Sequence, residues 1–203
     1  MLRATDPEQA ACIQKIERLL HLYPQDNLHS MYNTLGTHDT ERIFSMLDGD
    51  VDKVRLAFLI LFAFPGVPAI YYGDEIGMRG GKDPENRGAF PWDVNQWNHE
   101  LRNWVKTLIS TRQRTPALRR GEFVWVYGDD IARCYAFARL LGGENVVIAL
   151  NASPSQHSLR LPVSNLGWEE GKIARNLLTP GEFPVSQEAL HINLPPWSGI
   201  WLA

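Results

Sequence analysis

Cysteine is nearly absent from this sequence, with two residues in 203. Cys12 falls in a helical pattern and Cys134 in a strand pattern, far apart along the chain. A disulfide framework needs more cysteines at closer spacing, so both are expected as reduced, buried thiols of a cytoplasmic protein. Charge of one sign is also lacking. The formal net charge of −3 gives neither nucleic acid nor an anionic membrane an electrostatic handle. No apolar run approaches the ~20 residues that span a bilayer; the longest extends from Leu56 to Phe64. The opening MLRATDPEQ has no apolar leader region, so no secretory signal is expected. His38, His99 and His191 are scattered, no histidine pair stands at ligand spacing, and neither metal nor cofactor is expected.

What is present has the apolar, aromatic and charged fractions of an ordinary globular chain. Thr5-Asp6-Pro7-Glu8 reads as a helix start, with a capping oxygen, proline at the first helical position and acid in the first turn. Ile13, Ile16, Leu19 and Leu20 continue at helical spacing until Pro24. Ser30–Leu35 reads as a short strand, and a second helix opens near Asp50 and runs through Leu56–Phe64 to Pro65-Gly66. A helix apolar on all sides must be covered on all sides. Ala69–Tyr72 is predicted to be a buried strand, the Gly-, Pro- and Asn-rich segment from Ile76 to Trp97 a long loop, and Asn98 the cap of a third helix that ends at Pro116. Beyond Arg120 the pattern changes to short strands: Phe123–Tyr127, Cys134–Leu140, Val146–Leu150, Ser158–Leu161, Ala174–Leu178, Ala189–Leu194 and Ile200–Leu202.

Alternating helix and strand implies parallel strands with crossover helices, whereas strands without helices imply an antiparallel sandwich. The expected fold class is therefore α/β plus all-β, with residues 1–117 forming an α/β unit, residues 118–203 a small antiparallel β-domain, and the change falling between Pro116 and Gly121. Two parallel strands make a poor sheet by themselves, because both edges stay unpaired. The first part reads as a slice of a larger sheet, and self-association of the chain is expected.

The chemistry concentrates in Leu35-Gly36-Thr37-His38-Asp39-Thr40-Glu41-Arg42, where a predicted parallel strand ends. A His-Asp pair there could bind sugar hydroxyls, act as acid and base, or hold a metal; equally, Asp39 could cap the turn while His38 packs. The run Asn33–Arg42 (NTLGTHDTER) resembles the fourth conserved region of the α-amylase superfamily, glycoside hydrolase family 13. It is most like the cyclomaltodextrinase and neopullulanase group, whose usual form has Ser where Thr37 stands. Val67–Gly77 (VPAIYYGDEIG) is similar to that family's last barrel strand, and Gly80–Trp92 (GGKDPENRGAFPW) to the loop that follows it. The likeness extends into the trailing β-domain.

This resemblance implies that the first part is the last two βα units of a (β/α)8 barrel and that the parent is a retaining α-glucan glycosidase, active on maltooligosaccharides, cyclodextrins or pullulan. It implies a transition-state-stabilising carboxylate at Asp39 and hydroxyl binding at His38. Asp83 and Arg87 then match a glucose-binding acid and base. Asp74 and Glu75 would support the loop rather than react. An oxocarbenium-like transition state gains from a fixed carboxylate and from hydrogen bonds to sugar hydroxyls. Retaining hydrolysis also needs a nucleophile and a proton donor ~5–5.5 Å apart. In the family these stand upstream of the His-Asp motif, in a Gly-x-Arg-x-Asp run and as a Glu one strand later. The residues before His38 contain no such run, so the chain alone is expected to be inactive. The α-glucan would then be the parent's partner. The alternative is a non-catalytic glucan-binding or purely structural module. Of the tryptophans, Trp92 and Trp97 flank the loop and are the candidates for stacking on sugar, although core packing is expected for both.

Overall fold

The computed structural model describes residues 11–203, with side chains from residue 13 onward; the Thr5–Glu8 helix start and the Cys12 thiol lie outside what is described. The α/β part opens with helices α1 (Ala11–Leu22) and α2 (Gln25–Ser30), the second placed where Pro24 was expected to end helical structure. Strand β1 (Tyr32–Thr34) follows, then the short helix α3 (Ile43–Met46) and the long α4 (Val51–Ala63). Asp50 caps α4, its side chain accepting from the backbone N–H groups of Asp52 and Lys53. Strand β2 (Val67–Ala69) pairs in parallel with β1, Tyr32 opposite Val67 and Thr34 opposite Ala69. The strand expected over Ala69–Tyr72 is thus shifted earlier. Tyr71 and Tyr72 instead enter the turn before a 3-10 segment at Asp74–Ile76, where the side chain of Arg42 lies against both rings.

Helix α5 (His99–Arg114) begins where Asn98 accepts from the Leu101 N–H. A further short helix, α6 (Pro116–Arg120), occupies the stretch expected to be only a break. Pro116 stands at its first turn, where proline's missing N–H costs nothing.

Four strands then form one antiparallel sheet in the order β10-β5-β4-β3: β3 (Glu122–Asp129), β4 (Cys134–Leu141), β5 (Glu144–Asn151) and β10 (Ser198–Leu202). A second sheet has the order β6-β9-β8-β7: β6 (His157–Pro162), β7 (Ile173–Arg175), β8 (Glu182–Ser186) and β9 (Ala189–Leu194). Strand β8 was not anticipated, because Pro184 argues against a strand interior. The strand accommodates it by changing partners: it pairs with β7 over Glu182–Pro184 and with β9 over Val185–Ser186. Asn176, expected inside β7, makes only an isolated bridge to Leu202.

Period-2 alternation divides the first sheet between two cores. From β5, Val146, Ile148 and Leu150 face a cluster built on Phe58, Leu59, Phe62, Leu101 and Leu108 of α4 and α5. Val147 and Ala149 face the opposite way, onto Leu159, Leu161, Leu190 and Ile192 of the second sheet. The helices and the sandwich therefore share a core through the first sheet. α4 is covered along Val54, Leu56, Phe58, Leu59, Leu61, Phe62 and Ala63, as an apolar helix requires.

Two buried guanidiniums join the parts at the C-terminal end of α4, where carbonyls lack helical partners. Arg112 of α5 donates to the carbonyls of Phe62 (2.7 Å), Leu118 (2.7 Å) and Gly66 (2.6 Å). Arg139 of β4 donates to Ala63 O at 2.7 Å and twice to Gly121 O. Burial pulls Arg139 down to about 9 and Arg112 to about 10, with the neighbouring positive charge as a smaller cause in each. Cys134 is buried, and that burial pushes its thiol up to about 11. Among the described residues no helix is long and apolar enough to cross a membrane.

Candidate functional site

The site grows from the C-terminal end of the β1–β2 pair. Thr34 Oγ1 donates to Gly36 O, and the Thr37–Thr40 turn is closed by Thr40 N–H to Thr37 O and by Asp39 N–H to Thr37 Oγ1. This turn lifts His38 and Asp39 clear of the sheet, their side chains 66% and 72% exposed. The imidazole Nε2 of His38 lies 3.3 Å from Asp39 Oδ2. The two side chains therefore stand side by side and open to solvent at the strand end. His38 is not packed in the core.

The Gly80–Trp92 loop folds back onto the same turn. Arg87 Nε donates to His38 O at 3.1 Å, and its Nη2 lies 3.3 Å from Asp83 Oδ2 and 3.8 Å from Asp39 Oδ1. All four residues singled out from sequence, His38, Asp39, Asp83 and Arg87, thus meet around one guanidinium. Asp39 and Asp83 both lie within ion-pairing distance of the same guanidinium nitrogen.

Two contributors were missed. Asn86, 1% exposed, donates from Nδ2 to His38 O (2.7 Å) and to Thr40 O (2.9 Å). It grips the carbonyls on either side of Asp39. Sequence inspection saw only a turn in Asp83-Pro84-Glu85-Asn86, and no local signal marks the asparagine. Arg42, 0% exposed, is the other. Its guanidinium lies 4.2 Å and 4.5 Å from the ring centres of Tyr71 and Tyr72, donates to Tyr72 O, and pairs with Asp74 Oδ1 at 3.2 Å. Its backbone N–H donates to Gly80 O, tying the His-Asp loop to the base of the second loop. The signal for Arg42 was its place at the end of the NTLGTHDTER run.

Asp74 is the one acid here with a strongly displaced pKa. Burial raises it to about 6; hydrogen bonding and attraction to Arg42 oppose the shift, and the neighbouring Glu75 charge adds to it. That value would suit a proton donor, but the geometry forbids it. Asp74 is 1% exposed, and a Cβ added at Gly36 would meet its Oδ2 at 2.6 Å. It packs under Gly36 and pairs with Arg42 instead of facing the open side.

The tryptophans divide. Trp97 is half-buried, donating Nε1–H to Pro91 O, with Arg102 over its ring. Trp92 is 83% exposed and touches Phe90 edge-on, so the core packing expected for it is corrected. Trp97 anchors the loop through Pro91 O and the Phe90 ring, while Trp92 keeps only the edge contact with Phe90. Among the described residues no group of three or more His, Cys, Asp or Glu could hold a metal ion.

Two family models match along the chain. One, described as the alpha amylase catalytic domain, covers residues 4–127, and the other, the maltogenic amylase C-terminal domain, covers residues 123–201. The chain belongs to the alpha-amylase family. Among its relatives, a cyclomaltodextrinase of Geobacillus thermopakistaniensis (strain MAS1) is 40% identical over 189 residues, covering 93% of this chain and 32% of that protein. Neopullulanase 2 of Thermoactinomyces vulgaris is 35% identical, with 93% and 32% covered. The debranching enzyme of Nostoc punctiforme superimposes with a TM-score of 0.81 at 37% identity, covering 96% of this chain and 39% of that one. The chain spans about a third of the length of the curated relatives it matches. These relatives include the cyclomaltodextrinase and neopullulanase group to which the Asn33–Arg42 run pointed.

Proposed function

We propose that this chain is the C-terminal third of a cytoplasmic retaining α-glucan glycosidase, and that it supplies one of the three carboxylates of the catalytic site. The observation that carries the reading is the convergence of His38, Asp39 and Arg87 on one exposed face at the end of parallel strands, with Asn86 fixing the turn from below. Barrel enzymes gather their reacting groups on that face.

In this reading Asp39 accepts hydrogen bonds from the hydroxyls of the sugar whose bond is cut. Those bonds strengthen as the ring flattens toward an oxocarbenium ion, so a rigidly held acceptor favours the transition state over the ground state. His38 binds an adjacent hydroxyl. Arg87 and Asp83 hold a glucose unit further along the substrate, the planar guanidinium offering paired N–H groups to neighbouring oxygens. Nucleophile and proton donor come from the upstream two thirds of the parent, which leaves the isolated chain without turnover. Substrates are maltooligosaccharides, cyclodextrins or pullulan.

Complementation tests this. The upstream two thirds of the Geobacillus cyclomaltodextrinase, expressed separately and mixed with this chain, is expected to release reducing sugar from maltooligosaccharides. Neither piece does so alone, and Asp39→Asn abolishes the recovered activity. Sugar release by the pure chain, or complementation indifferent to Asp39→Asn, would sink the proposal.

A further inference from the structure

A cleft of about 180 Å³ opens where α4 and α5 meet the turn between β9 and β10. Asp52, Arg55, Trp104, Pro196, Trp197 and Ser198 line it. None of them belongs to the His38–Asp39 face. α4 crosses back between two parallel strands, so its first two turns, with Asp52 and Arg55, lie toward the end of the unit that carries Asp39, on the outer surface.

The side chains of this cleft are arranged unlike a simple domain crevice. Trp197 is held at φ 49°, in the left-handed region that bulky side chains avoid. Such strain persists only where the surroundings demand a position, and it gathers at binding sites. Trp104 has its indole N–H satisfied by Arg55 O at 3.0 Å, so its ring needs no polar partner from a ligand.

Charge narrows the occupant. Lys53 pairs with Asp50 at 3.4 Å and lies 5.0 Å over the Trp197 ring, while Arg55 pairs with Glu100 at 2.6 Å and lies 4.8 Å over Trp104. A cationic ligand would find the places over both rings already taken by cations. An anionic ligand would face Asp52 and find Arg55 already paired with Glu100. The carboxylate of Asp52 has no ion-pair partner among the described residues and remains as an acceptor beside the two indoles. Two indoles with one free acceptor suit a neutral ring with an apolar face and a rim of hydroxyls. The volume is below the roughly 300–1,000 Å³ of drug-sized pockets, so one or two rings fit rather than a long chain.

We infer that this cleft is a second carbohydrate site, which takes a pyranose unit of an α-glucan outside the catalytic face. The choice of α-glucan rests on the proposed function; the choice of a neutral polyol rests on the cleft alone. A glucan held here would keep its polymer near the enzyme between cuts, raising the local substrate concentration as any second attachment does.

Calorimetry of the 203-residue chain with maltotriose tests it. Wild type is expected to bind, and the Trp197-dependent part of that binding to persist when Asp39→Asn/Arg87→Met removes whatever the catalytic face contributes. Trp197→Gly, in which glycine accepts the left-handed backbone freely, weakens binding roughly tenfold or more by removing the ring. Asp52→Asn, an exposed and structurally mild change, weakens it about threefold. Circular dichroism establishes that each variant is folded, and Asp52→Asn carries the test if Trp197→Gly is not. Flat heats with wild type, binding unchanged in both cleft variants, binding lost only with Asp39 and Arg87, or binding of choline in place of maltotriose would each overturn the inference. Failed complementation alongside an intact Trp197-dependent titration would sink the glycosidase reading and leave the cleft standing.

Discussion

Arg42 and Asp74 form a wholly buried ion pair, 3.2 Å between Nη1 and Oδ1, directly beneath the turn that carries His38 and Asp39. Neither residue reaches the open face. Arg42 closes its side of the pair on the Tyr72 carbonyl, while Asp74 presses its second oxygen against Gly36. The pair links the ends of two adjacent parallel strands, so the position of Asp39 depends on charges that no substrate would touch.

Protonation of Asp74 is therefore expected to appear in stability. Its folded pKa of about 6 exceeds the ordinary 3.8, so the folded chain binds this proton more tightly than the unfolded chain does. The resulting stabilisation is fully present below about pH 4 and is lost as pH rises through about 6. Asp74→Asn imitates the neutral acid at every pH and keeps an oxygen for Arg42. In urea unfolding, the variant is expected to gain on wild type between pH 4 and pH 7.5 by on the order of 2–3 kcal/mol. A difference that stays level with pH, or tilts the other way, would show that attraction to Arg42 outweighs desolvation.

Asn86 has the more direct hold on the turn. Asn86→Ala removes both bonds to the carbonyls of His38 and Thr40 and leaves these acceptors underused, at a cost of roughly 1–3 kcal/mol. Because the loss is local, hydrogen exchange is the suitable measurement. The amides of Asp39 and Thr40 are expected to exchange faster by an order of magnitude or more, while those of β4 and β5 keep their protection. Uniform acceleration throughout the chain would mean that Asn86 serves global stability instead.

These two relationships mark where sequence reading stops. The His38–Asp39 pair at a strand end, the helix starts at Asp50 and Asn98 and the strand over Val146–Leu150 were legible because each rests on neighbours in the chain. The family resemblance added Asp83 and Arg87 and implied the barrel. Arg42 meets an acid 32 residues away, and Asn86 meets carbonyls 48 and 46 residues away. No local pattern encodes such contacts. Strand β8 was hidden because Pro184 is tolerated only where the strand changes partners, which is a property of the sheet. Trp92 was judged by residue type, and what decides its exposure is the loop's anchoring through Phe90 and Trp97.

The junction at the end of α4 gives a third prediction. Arg139 spans from β4 to the Ala63 carbonyl and doubly to Gly121 O, a fork that lysine cannot reproduce. Arg139→Lys keeps a buried charge but offers a single point of donation, leaving at least one carbonyl bare. The expected loss is roughly 2–4 kcal/mol, read as a lower urea midpoint. The loss should couple to Arg112, which bonds the neighbouring carbonyls of Phe62 and Gly66. A double-mutant cycle with Arg112→Lys is expected to depart from additivity by at least ~0.5 kcal/mol. Strict additivity would mean that the two arginines act on separate structures.

The last prediction concerns the edges of the β1–β2 pair. Among the described residues β1 and β2 pair only with each other, and Tyr32 and Val67 stand 73% and 50% exposed on them. A two-stranded parallel sheet with bare edges offers unpaired N–H and C=O groups to any other strand. In the isolated chain these edges are expected to drive self-association, giving a dimer or larger species whose mass rises with concentration in light scattering. Lysine introduced singly, as Tyr32→Lys or as Val67→Lys because the two positions face each other across the pair, charges the exposed strand and should shift the population toward monomer. A concentration-independent monomer for the unmodified chain would refute the idea. Association indifferent to the lysines would move it to another surface. If the edges are the cause, the complementing upstream polypeptide should also dissolve the assembly, since its own strands would occupy the same hydrogen-bonding groups.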